Sequence, residues 1–93
     1  MNVSFRDKLQ VSSSILETIG DTPLVQLKQI PGNSKIEVFA KLESFNPSGS
    51  VKARTSYNIL QKAIESGELK KGDTVIESSS GNMAIGLAQA CLV

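Results

Sequence analysis

IEVFAKLESFNPSGSVKAR, residues 36–54, passes from one structural period to another. In its first part Ile36, Val38, Ala40 and Leu42 alternate with Glu37, Phe39, Lys41 and Glu43, the two-residue period of a strand with one face turned inward. Asn46-Pro47-Ser48-Gly49 then carries turn chemistry. From Val51 the period lengthens: Ala53, Tyr57, Leu60 and Ile64 fall near one face of a helix, with Ala63 beside them. Gly67 stands where that helix would close. A second strand and helix follow. Lys71-Gly72-Asp73 makes a turn, 74–77 (TVIE) reads as a short buried strand, and after SSSGN the run MAIGLAQACLV reads as a mostly apolar helix. The β-α-β-α order from residue 36 predicts an α/β fold on a parallel sheet.

Upstream, residues 1–14 form a polar segment and 15–93 the structured portion. Ser14-Ile15-Leu16-Glu17 matches a capping box, with Ser14 as N-cap and Glu17 three residues on. Gly20 ends that short helix, Asp21-Thr22-Pro23 turns the chain, 24–30 (LVQLKQI) reads as a strand, and Pro31-Gly32-Asn33 turns it again. The last helix is apolar on most sides, and such a helix needs cover from other structure. About three strands do not supply it. The expectation is therefore the front part of a larger α/β protein.

Composition narrows the chemistry. The 93 residues carry a formal net charge of +1 and 4% aromatic residues with no Trp, which leaves no electrostatic footprint or stacking platform for nucleic acid and none for an anionic membrane surface. No apolar run reaches the roughly 18 residues of a membrane span, and the N-terminus lacks the apolar core of a signal peptide, so a cytoplasmic protein is expected. With one cysteine there is no internal disulfide. The absence of histidine removes Ser-His-Asp and Cys-His catalysis and most zinc sites, leaving Lys, Asp, Glu, Tyr, Ser or water for proton transfer.

Two loops carry the remaining chemical interest. The first, 46–54, places Lys52 and Arg54 at the start of a helix, the positive end of its dipole. An ordinary lysine titrates near about 10.4; the dipole and Arg54 both disfavour its ammonium form, which is what a lysine acting through Schiff-base chemistry requires. Two solvated cations on a surface helix are the plain alternative. A P-loop is excluded, because Val51 stands where the glycine before the lysine should be. The second loop, 77–84 (ESSSGNMA), lies where a strand gives way to a helix, the ligand edge of an α/β sheet. Its serines, Asn82 and the helix N-terminus would hold a carboxylate or phosphate, with Gly81 allowing an unusual backbone angle; the plain alternative is a serine-rich helix cap. Neither a G-x-S-x-G elbow nor a Rossmann G-x-G-x-x-G is present. Cys91 and Tyr57 read as packing residues.

Taken together, IGDTPLVQL, VFAKLESFNPSGSVKAR and SGELKKGDTVIESSSGNMAIGLAQA resemble the fold-type II enzymes that use pyridoxal 5'-phosphate (the tryptophan synthase beta-like fold), and within them the cysteine synthase family. The likeness runs from about Ile15 to Val93. It implies that Lys52 links the cofactor and serves as the catalytic base, that Asn82 hydrogen-bonds the cofactor ring hydroxyl, and that Ser79, Ser80, Asn82 and the Met83 backbone N–H grip the substrate carboxylate. It further implies a small amino-acid substrate, an O-activated serine undergoing β-replacement, and homodimers among full-length relatives. ESSSGNM with GLAQAC looks most like the branch that makes 2,3-diaminopropionate precursors for siderophores and antibiotics from O-phosphoserine and glutamate; a cysteine synthase using O-acetylserine and sulfide is the alternative. A non-catalytic truncated product or partner-binding module is a third reading. Ala53, Ser48 and Ala84 stand where the family usually has Asp, Gly and Gly, and Met83 where cysteine synthases usually have Thr. The resemblance also implies that the glycine-rich loop holding the cofactor phosphate would lie beyond residue 93, so that the chain alone is expected to be inactive.

Overall fold

The computed structural model describes residues 10–29, 32 and 35–93. The expectations for residues 1–9 and for Ile30, Pro31 and Asn33 lie outside the described residues. Two strands, β1 (Leu24–Leu27) and β2 (Val38–Lys41), are followed by two helices, α1 (Lys52–Ser66) and α2 (Asn82–Cys91). Single 3-10 turns occupy Ile15–Thr18 and Glu43–Phe45.

The strand expected at 36–43 forms over its central four residues, and the one expected at 24–30 over its first four. They pair antiparallel, Val25 opposite Ala40 and Leu27 opposite Val38. Those four therefore share one face, while Leu24 and Phe39 project from the other and are largely exposed. Leu42 N–H continues the ladder to the Pro23 carbonyl at 2.9 Å.

The parallel sheet expected from the β-α-β-α order is not formed among the described residues. Residues 74–77 form no strand pairing among the described residues, and Ile76 is 89% exposed. A segment becomes a strand only when a neighbour takes its N–H and C=O groups, and the two-stranded β1–β2 sheet does not extend to 74–77.

The capping box at Ser14 takes a modified form. Ser14 Oγ accepts from Leu16 N–H at 3.1 Å, but the Glu17 carboxylate reaches one residue further back, to Ser13 N–H at 2.9 Å and Ser13 Oγ at 2.8 Å. The tighter 3-10 winding shifts the register by one residue.

Burial concentrates where α1 meets α2. Among the described residues Ala53, Leu60 and Leu87 are the buried apolar side chains and Ser56 is fully enclosed. The helices approach closely because residue 86 is glycine: a Cβ there would sit 2.5 Å from Ser56 Oγ and 3.0 Å from the Lys52 carbonyl oxygen. Beyond this contact the packing is thin. The Cα radius of gyration is 18.2 Å, against about 12 Å for a compact domain of this length. A groove of about 610 Å³ runs beside Leu60, Ile64, Val75, Ala90 and Val93, and Cys91, expected in a core, is exposed along it. Tyr57 is half-buried beside Leu16 and Leu60 in a smaller groove. No described helix is long and apolar enough to cross a membrane.

Candidate functional site

The loop 46–51 delivers the chain into α1 with Lys52 as its first residue. Lys52 N–H donates to Ser50 Oγ at 3.2 Å, and Ala53 N–H to the Ser50 carbonyl at 3.3 Å, so Ser50 satisfies two of the N–H groups a helix start leaves open. The Lys52 side chain is exposed and has no hydrogen bond or ion pair among the described residues. An amine so placed is free to react with a carbonyl compound.

Arg54, two residues on, is fully engaged. Its Nε donates to Glu43 Oε2 at 2.9 Å and its Nη2 to Glu43 Oε1 at 3.0 Å, a two-pronged fork on one carboxylate. Nη2 also reaches Thr22 Oγ1 at 3.2 Å, and Thr22 Oγ1 donates to Glu43 Oε1 at 2.9 Å. Asn46, 3% exposed, donates to Glu43 Oε2 at 2.6 Å and to the Glu43 carbonyl at 2.8 Å, and accepts from Gly20 N–H at 2.9 Å. Lys41 Nζ donates to the Thr22 carbonyl. Hydrogen bonding from Arg54, aided by Asn46 and Thr22, holds the Glu43 carboxyl down at about 2 despite partial burial. Gly20 is required beside this cluster on two counts: its φ is +90°, and a Cβ would lie 3.1 Å from Arg54 Nη1.

The second loop is looser. Ser79 Oγ accepts from Gly81 N–H and from Ala84 N–H, both at 3.2 Å, so this serine caps α2 from two residues outside the usual cap position. Its hydroxyl proton stays available for donation. Ser80 and Asn82 are exposed. The Asn82 and Met83 N–H groups have no acceptor among the described residues and remain open for an anion at the positive end of α2. Gly81, the residue before α2, has φ −175° and ψ −109°, a pair outside the regular extended and helical regions. The Met83 side chain turns inward, its sulfur 3.4 Å from Ser56 Oγ, which also reaches the Met83 carbonyl at 3.4 Å.

Ser56 and Gly86 thus join the two loops. They pack the first turn of α1, which carries Lys52, against the first turn of α2, which carries Asn82 and Met83. A free amine, open backbone N–H groups, hydroxyls and a carboxamide are set on two adjoining helix starts. That donor set fits an aldehyde cofactor and a carboxylate-bearing substrate.

A profile of the pyridoxal-phosphate dependent enzyme family matches residues 15–93. The chain belongs to this family. It is 53% identical over 81 residues to N-(2-amino-2-carboxyethyl)-L-glutamate synthase of Cupriavidus metallidurans, covering 87% of this chain and 24% of the relative. A probable cysteine synthase of Bacillus subtilis is 46% identical over 80 residues, covering 86% and 26%. Among solved structures, O-acetyl serine sulfhydrylase isoform 3 of Entamoeba histolytica superimposes with a TM-score of 0.81 at 44% identity, covering 97% of this chain and 27% of that one. The chain spans about a quarter of the length of the curated relatives it matches. Family and α/β fold class are therefore those the motifs suggested, and the matched enzymes include the expected diaminopropionate branch.

Glu43, Thr22 and Asn46 were not legible as site residues. Glu43 read as the outward end of an alternating strand, and no spacing rule links it to a guanidinium at Arg54. The signal available was the unfavourable place of Arg54 at a helix's positive end, which calls for an anion nearby.

Proposed function

We propose that this chain contributes the cofactor-linking lysine and the carboxylate-binding loop of an enzyme that performs β-replacement on an O-activated L-serine. The supporting observation is the unpaired Lys52 on one helix start, joined through Ser56 and Gly86 to the open N–H groups of Asn82 and Met83 on another. Pyridoxal 5'-phosphate, when bound, supplies the electron sink for a carbanion at the substrate α-carbon. Lys52 Nζ is the group that would hold it covalently, and once the substrate amine had taken its place the freed amine would be the base for the α-proton. Asn82 binds the ring hydroxyl. Ser79, Ser80, Asn82 and the Met83 N–H orient the carboxylate, which a helix N-terminus favours by its charge. Such a site would serve β-replacement, in which the β-substituent departs as an anion, a nucleophile takes its place, and the Lys52 amine would return the proton to the α-carbon.

The finer reading takes O-phospho-L-serine and L-glutamate as substrates, supported by the matched N-(2-amino-2-carboxyethyl)-L-glutamate synthases. The O-acetylserine and sulfide reading draws its support from the matched O-acetyl serine sulfhydrylases. The thin core supports a third, in which the chain alone is a non-catalytic partner-binding piece.

The test is to mix the chain with pyridoxal phosphate, trap with borohydride and locate the adduct by mass spectrometry. The expected result is selective labelling of Lys52, abolished in Lys52→Ala without transfer to another lysine. Even labelling of all lysines overturns the cofactor reading. Trapping repeated with O-phosphoserine or O-acetylserine present separates the first two: the true substrate displaces Lys52 and lowers its labelling, and protection by neither favours the non-catalytic piece.

A further inference from the structure

One carboxylate closes the segment that carries the reactive lysine. Residues 46–54 begin at Asn46 and end at Arg54, and both side chains bind Glu43 Oε2, at 2.6 and 2.9 Å. Between those ends the segment is held by its own turns: Gly49 N–H to the Asn46 carbonyl at 2.8 Å, Lys52 N–H to Ser50 Oγ, and Arg54 N–H to the Val51 carbonyl at 3.1 Å. The anchor is itself fixed. Glu43 lies two residues after β2, and Thr22 and Gly20, from the turn before β1, bind Glu43 Oε1 and Asn46 Oδ1. The Glu43 and Arg54 side chains are 23% and 39% exposed, so neither is freely solvated.

The geometry points to Glu43 as a positioning residue for Lys52: it cinches the 46–54 loop at both ends and so fixes where the first turn of α1 presents its amine. This rests on the reading of Lys52 as the cofactor-linking group. Arg54 thereby gains a role, since a cation at the start of a helix is tolerable when a carboxylate from a neighbouring element meets it. A loop tied only at its helix end would let Lys52 sample several positions, and a misplaced reacting group loses rate steeply. The cinch touches neither substrate nor cofactor and acts through the backbone of the segment.

Two variants of the full chain test this. Glu43→Gln keeps the shape but replaces one acceptor oxygen with a donor, and Arg54→Lys keeps the charge but loses the fork. Hydrogen exchange resolved by peptide is read at 46–54 and, as control, at 57–66 in α1. Glu43→Gln is expected to speed exchange at 46–54 at least tenfold and at 57–66 less than twofold, with a smaller shift of the same pattern in Arg54→Lys. Equal acceleration in both segments, or none in 46–54, overturns the cinch. Should Glu43→Gln unfold throughout, the Arg54→Lys pattern decides. The second readout is borohydride-trapped pyridoxal phosphate on Lys52 relative to Lys71, a ratio that general loosening does not lower. It should fall at least fivefold in Glu43→Gln. An unchanged ratio, in a wild-type chain that favours Lys52, overturns the positioning role. A wild-type chain with no preference for Lys52 overturns the cofactor reading instead, and the exchange pattern alone then decides the cinch.

Discussion

The two loops that open the helices differ in how far the chain itself supports them. At the start of 46–51 the Asn46 carboxamide is bound by the Gly20 N–H and by Glu43, and just past its exit Arg54 meets Glu43 through a two-pronged ion pair. In 77–81 one serine oxygen serves two N–H groups, and residues 74–77 leading in have no strand partner among the described residues. Both loops present donors at a helix start. The first is held by contacts made wholly inside this chain, whereas the second hangs on a segment whose sheet partners are absent from the described residues. Local order is therefore concentrated around Lys52, and the 77–84 side depends on its packing against α1.

The sharpest way to break this pairing is Gly86→Ala. The new methyl meets Ser56 Oγ and the Lys52 carbonyl, and overpacking of this kind costs about 1–3 kcal/mol. Denaturant melts followed by helical circular dichroism should show the loss, and exchange should rise at both helix starts together. An unchanged midpoint would mean that the α1–α2 contact is not close in solution. Ser79→Ala should do less, removing a cap worth about 1 kcal/mol. It should raise exchange in the first turn of α2 and leave 46–54 untouched; a matching rise at 46–54 would erase the distinction between the loops.

Acid should give the most local effect. The Glu43 carboxyl is depressed from 4.5 to about 2 in the folded chain, so its stabilising contribution is complete above pH 4.5 and fades as pH falls toward 2. Exchange at 46–54, corrected for its intrinsic pH dependence, should accelerate across that window while 77–81 does not. Glu17, lowered by its hydrogen bonds to Ser13, will report separately at residues 13–18. Loosening of 46–54 that begins well above pH 4.5 would point to a different anchor.

Much of the local structure was legible. The 3.6-residue period of Ala53, Tyr57, Leu60 and Ile64 and the closing Gly67 located α1, and the alternation around Val38 and Ala40 located β2. These signals live within a few residues of chain. Residues 74–77 failed as a strand in the described structure because strand formation is a property of a pair. Cys91 failed as a core residue because an apolar helix is buried only when something covers it.

By itself the sequence determined the family, the helix starts and the identity of Lys52 as the reactive candidate, because motif order and turn chemistry are written in neighbouring residues. Only the tertiary structure decided what Arg54 is for and how the two loops meet. Glu43 lies eleven positions before Arg54, and Gly86 thirty after Ser56. No local period connects such pairs; the turn at 20–22, the hairpin and the close crossing of α1 and α2 bring them together.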